Sequence, residues 1–361
     1  MTQAEDTHEI YKTANNTPSG SRRSSRERDT SDSVVAIMDH HNNNEQQQQQ
    51  HGIKYHGHGA FISILVLQVI IVCVLEGLEI QQAMIGMSND CTMTLDVIGM
   101  SQVGLVYRGL VMAATFYQLM FGLDTIQQQS TIHLWMLFIN GLLFIIFVGI
   151  QIIQNSKWET MMQEMGCGTA SLSHPHYDHA LLAVVAFLYL VLVGCSIWMR
   201  RRMFTTTTAA SGAKNQKIKE TIASITLMAF IKLDVYYLHC YAVQLIPAMV
   251  LDDERNVIPV ELVLVPMLGI LMLSMTWYSV QNKKPWLLLT LALLIGLALG
   301  YLGYRTAIFA QPHPIDNDPY HITRQSLLFT TLTLFLLMLL SMGVILVLIR
   351  CLLRGTTLFW R

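Results

Sequence analysis

Charge is what this sequence has least of. Asp, Glu, Lys and Arg make up 13% of its 361 residues, about half of the roughly 25% found in a soluble globular chain. That deficit excludes an ordinary water-facing surface over most of the length. The net charge of −1 leaves no basic field for a polyanion, so no nucleic-acid partner is expected. Met1 to Tyr55 holds no apolar stretch of the kind that forms the centre of a cleavable signal peptide. Targeting is therefore expected to fall to the first membrane helix, acting as an uncleaved anchor. The six cysteines include no Cys-x-x-Cys pair. There is also no Gly-rich phosphate loop, no Gly-x-Ser-x-Gly elbow and no His-Glu-x-x-His pair. From these motifs neither enzymatic activity nor a cofactor is expected.

Hydrophobicity is what the chain has in quantity, at 52% of residues, and it is unevenly placed. Residues 1–57 are almost wholly polar. They carry a Ser/Arg run (Ser21-Arg22-Arg23-Ser24-Ser25-Arg26) and an Asn/Gln tract that ends in Gln46–Gln50. Such a composition cannot bury enough apolar surface to offset the entropy of ordering. This segment reads as a disordered tail, either a site for protein partners or a solvated spacer.

Eight apolar runs follow, near 60–80, 100–123, 131–153, 180–199, 222–248, 258–280, 286–304 and 326–349. Each is long enough as a helix to cross about 30 Å of hydrocarbon and too long for a barrel strand. The expected fold class is all-α: a polytopic transmembrane helix bundle of about eight spans, with the lipid bilayer as its surroundings. Residues 58–350 form its membrane domain and 351–361 a short tail. The second run is the least regular, because Arg108 interrupts it.

The distribution of Lys and Arg sets the orientation. With the N-terminus cytoplasmic, one side holds six in the tail, six in 200–220, two in 281–285 and three after Ile349. The other holds four: Lys157, Arg255, Arg305 and Arg324. Both termini are therefore expected in the cytoplasm. Cys91 and Cys167 then fall in lumenal loops, where they either bond to one another or stay as free thiols. Cys351 falls just inside the cytoplasmic face, a candidate for palmitoylation. The sequon at Asn15 lies in the cytoplasmic tail and is expected to stay unmodified.

Ionisable residues inside spans are costly and mark candidate sites. The fifth run contains Lys232, Asp234 and His239. Lys232 and Asp234 are about 200° apart around a helix. Lys232, Tyr236 and His239 share one face, and Asp234, Tyr237, Tyr241 and Gln244 a nearly opposite one. A helix polar on two faces belongs at the centre of a bundle. Counting depth at 1.5 Å per residue places Arg108 and Asp234 at similar levels, with Glu76 close enough to share Arg108. The expected intramembrane polar network is Glu76, Arg108, Lys232, Asp234 and His239. It serves either to fix helix register or to carry a solute.

Three weaker features complete the reading. Ala292, Gly296 and Gly300 form a small-xxx-small face in the seventh run. Asn140 and Gln151 can hydrogen-bond between helices. The lumenal loop with His174, His176 and His179 offers metal-ligand types, as does the segment from His313 to His321. Neither shows the three or four ligands at fixed spacing that a metal site requires.

Several stretches resemble an uncharacterised fungal family of multi-pass Golgi apparatus membrane proteins. They are Phe230-Ile231-Lys232-Leu233-Asp234-Val235-Tyr236-Tyr237 with the downstream Gln244, and Leu123-Asp124-Thr125 followed by Thr131-Ile132, Asn140 and Gln151. This chain has His133 where that family has Gln, and Tyr236 and Tyr237 where it has a Phe pair. The resemblance covers most of residues 60–355 and implies a Golgi membrane location. It carries no molecular activity that could be assigned to particular residues. Three function classes follow: a trafficking or organising factor, a transporter or channel built on the buried charges, and a lumenal metal-dependent enzyme.

Overall fold

The computed structural model describes residues 59–85, 95–128, 130–164, 175–203, 215–247, 260–311 and 323–357. The tail 1–57, Cys91, Cys167, the segment 312–322 and residues 358–361 lie outside the described residues. Those described are almost entirely helical, with no strand among them.

Among the described residues, eight helices are long and apolar enough to cross a membrane. They are α1 (Gly59–Ile85), α2 (Leu95–Gln128), α3 (Thr131–Glu164), α4 (Pro175–Met203), α5 (Asn215–Gln244), α6 (Val260–Asn282), α7 (Pro285–Ala310) and α8 (Arg324–Thr357). Their apolar stretches run from 22 to 30 residues, about 33–45 Å of helix, which exceeds the hydrocarbon thickness of about 30 Å. The chain is a multi-pass membrane protein. The last helix runs on past residue 350 to Thr357, so Cys351 sits on it.

Two hairpins are tight. The α2–α3 turn takes only two residues, and Ser130 accepts the amide of Leu134. The α6–α7 turn, Lys283-Lys284, places Lys283 at φ 50°, and Pro285 then starts α7 where a missing amide costs nothing. Pro266 interrupts the backbone ladder of α6, which membrane helices tolerate when neighbours protect the freed carbonyl.

The helix expected at the centre is there. In α5, 56% of the apolar window is buried, against 22–44% in the other seven. It packs against α8 and α6 most extensively, then α3 and α2. Leu227, Ile231, Leu233 and Tyr241 of α5 are fully buried among Leu337 and Met338 of α8 and Leu288, Leu291 and Ile295 of α7. The outward faces are as apolar as the core. Leu190 and Leu297 are 67% and 74% exposed, a pattern unstable in water and natural in lipid.

Small residues set the closest approaches, though not where the sequence pattern is most regular. A Cβ on Gly141 of α3 would lie 2.6 Å from the Tyr189 ring of α4, and one on Gly122 of α2 would lie 2.3 Å from Leu65 Cδ1 of α1. In the Ala292/Gly296/Gly300 series, a Cβ on Gly296 would meet only Met342 at 3.7 Å, and one on Gly300 nothing within 4 Å. That series faces α8 loosely rather than clasping it.

Candidate polar sites within the bundle

The polar residues of α5 reach into neighbouring helices at successive levels. At the end assigned to the cytoplasm, Lys232 Nζ lies 2.7 Å from Asp124 Oδ2. Gln128 Nε2 donates to the other Asp124 oxygen at 3.0 Å. His133 of α3, fully buried, places Nε2 3.4 Å from Asp124 Oδ2, and its ring lies against Phe121. The Asp124 carboxylate thus ties α2 to α5, with the His133 ring of α3 beside it next to the tight α2–α3 turn. The long Lys232 stem lets its ammonium reach toward the membrane edge, leaving it about a quarter exposed.

Asp234, two residues further along, turns the other way. It is fully buried. Ser341 of α8 donates to its Oδ2 at 2.5 Å, and its Oδ1 has no hydrogen-bond partner. Next come the two tyrosines. Tyr236 stacks on Tyr117 of α2 with ring centres 4.0 Å apart, and the Tyr237 hydroxyl donates to Asn140 of α3 at 3.4 Å. His239 is taken up within its own helix, its Nδ1 donating to the Val235 carbonyl at 2.7 Å. Gln244 donates to Thr330 of α8 at 2.9 Å.

Two further clusters lie toward the opposite end of the bundle, the one that the Lys/Arg count assigns to the lumen. Arg108 of α2 reaches Glu76 of α1 at 3.4 Å and contacts Glu79 as well; all three side chains are nearly buried. In the second, Arg305 of α7 pairs with Glu261 of α6 at 2.5 Å. Its Nε also donates to the hydroxyls of Tyr241 and Tyr301, at 3.0 and 3.1 Å.

The five residues expected to form one network therefore divide among four places. Glu76 and Arg108 meet as expected. Lys232, Asp234 and His239 each go elsewhere. The reason is depth. Asp124 lies sixteen positions after Arg108 on the same helix, about 24 Å away, and Lys232 reaches Asp124. Asp234, one turn at most from Lys232, is therefore well short of Arg108. Counting depth from the ends of the apolar runs assumes level helix ends, whereas α5 begins at Asn215, seven residues before its apolar run.

Sequence reasoning missed Glu79, Asp124, His133, Ser341, Tyr301 and Arg305 as site residues. Two of these left a signal. Glu79 stands three after Glu76, and Arg305 four after Tyr301, spacings that share a helix face. Arg305 was assigned to a lumenal loop because α7 is more apolar before Tyr304 than after it. Of the other candidates, Asn140 bonds across helices, while Gln151 Oε1 is buried without a partner. His179 is exposed in the first turns of α4, and His174 and the His176 side chain lie outside the described residues.

No family model, no curated protein and no solved structure matches this chain.

Proposed function

We propose that this chain is a Golgi membrane protein that organises or supports trafficking, its helix bundle acting as a fixed platform for the cytoplasmic tail 1–57. The observation that supports this reading is how the membrane charges are used. Lys232–Asp124, Arg108–Glu76/Glu79 and Arg305–Glu261 tie different helices at three separate places and form no continuous line of charge. Paired intramembrane charges of this kind fix register and packing.

The test is deletion of residues 1–57 in cells, with the tagged chain followed by imaging against Golgi markers and by co-purification. Loss of specific partners with the bundle intact is the expected outcome. Unchanged partners and unchanged location would remove the tail from the mechanism, and a full-length chain found away from the Golgi would remove the location.

One observation favours transport instead. Asp234 is fully buried with one carboxylate oxygen unpartnered, which is unusual for a group whose role is only to hold helices. Asp234→Asn keeps size and the acceptor for Ser341. Normal abundance with a lost solute or proton flux in reconstituted vesicles would establish that reading. Loss of the protein itself would assign Asp234 to packing.

A further inference from the structure

A cavity of about 280 Å³ opens among α5, α6 and α7. Its walls are apolar, formed by Leu238, Leu264, Val265, Leu268, Leu294 and Ala298. Leu264 of α6 and Leu297 of α7 flank it and are 57% and 74% exposed, so the cavity faces the lipid. Apolar cavities of about 150 Å³ already take up a benzene-sized guest. This one is larger and meets hydrocarbon.

One end is different. Tyr241, Glu261 and Tyr301 line it as well, with Arg305 directly behind them. Glu261 is the second residue of α6, which sets this end at the membrane–water boundary. The wall then runs inward to Leu268, about 10 Å deeper. A single polar point at the interface sits above a single apolar shaft.

The chemistry of that point selects the guest. The Arg305 charge is answered by Glu261, so the cluster offers no net charge to a phosphate or to a quaternary ammonium. It offers instead the part-exposed Tyr301 hydroxyl and Glu261 carboxylate, held from behind by the fully buried Tyr241 and by Arg305. That set suits an uncharged hydroxyl, which both donates and accepts. One hydroxyl on one apolar body, with its hydroxyl at the interface, describes a sterol. A rigid ring system fills such a shaft with little loss of conformational freedom, whereas an acyl chain must be ordered to do so.

We propose that the cleft between α6 and α7 binds a sterol from the adjoining leaflet, with its hydroxyl held by Tyr301 and Glu261 and its ring system along Leu264, Val265 and Ala298. This inference is independent of the platform reading, since neither the tail nor the other charge pairs take part.

The experiment uses the full chain in nanodiscs of phosphatidylcholine with a photoreactive sterol, and in parallel with a photoreactive phosphatidylcholine. Labelled peptides are mapped by mass spectrometry. The expected result is sterol labelling concentrated on α6 and α7 and competed by unlabelled sterol. Leu264→Trp, on a lipid-exposed position, should block the mouth and cut that labelling at least tenfold. Tyr301→Phe should weaken it about three- to tenfold, the loss of one hydroxyl bond. Equal labelling by both lipids, sterol labelling insensitive to Leu264→Trp, or cross-links between two copies across this face would each overturn the proposal.

Discussion

At the scale of single residues, the three charge clusters differ in how much water they keep, and that decides what each is worth. Arg108 serves two carboxylates with side chains 12%, 0% and 7% exposed for Arg108, Glu76 and Glu79. Arg108→Met would strand both glutamates and should cost about 3–5 kcal/mol, the range for breaking a buried pair. Glu79→Gln, which leaves one carboxylate facing the guanidinium, should cost far less. Thermal unfolding of the purified variants in nanodiscs measures the difference, and similar losses for the two would refute this ranking. The Lys232–Asp124 pair is 26% and 23% exposed. Its loss should fall between the roughly 0–1 kcal/mol of a surface pair and the buried value. A double-mutant cycle on Lys232→Met and Asp124→Asn checks this, with a positive coupling energy expected.

At the scale of helices, glycine matters where another helix comes close, and sequence regularity is a poor guide to where that happens. Gly141 faces the Tyr189 ring, which is held because its hydroxyl donates to the Phe138 carbonyl at 3.1 Å. Gly141→Ala must push ring and helix apart, and about 1–3 kcal/mol of destabilisation is expected. Gly122 also lies close to a neighbour, but there the obstacle is the end of a flexible leucine, so Gly122→Ala should be milder. Gly300→Ala meets nothing and should be neutral, or stabilising by up to about 1 kcal/mol through helix propensity. Melting temperatures of the three variants should therefore order as Gly300→Ala, Gly122→Ala, Gly141→Ala from highest to lowest. Gly300→Ala as the least stable would show that the four-residue small-residue series is a packing face after all.

At the scale of the whole molecule, the eight helices that are long and apolar enough to cross a membrane among the described residues are an even number, which calls for both ends of the bundle on one side. The Lys/Arg count assigns that side to the cytoplasm. Tags at the two termini should be equally digested by protease added to intact vesicles, while a tag inserted in 248–259 should be protected. Protection of both termini would invert the orientation and exchange the leaflets on which the polar clusters lie.

The number of crossings, their approximate limits and the central position of α5 were legible in the sequence. In a bilayer the apolar length of each run decides spanning, and only an interior helix can be polar on two faces. The choice of partners was not legible. Asp124 for Lys232, Ser341 for Asp234 and Glu79 beside Glu76 depend on how far each helix slides along its neighbours. That sliding is set by side-chain packing across helices far apart in the chain, such as Gly141 under Tyr189 and Tyr236 on Tyr117. The cleft between α6 and α7 belongs to the same level. Its walls read simply as apolar helix, and only their separation makes a cavity with Glu261 and Tyr301 at its mouth. Hydropathy is a property of each segment alone and survives in the sequence, whereas the register between segments exists only once they are packed.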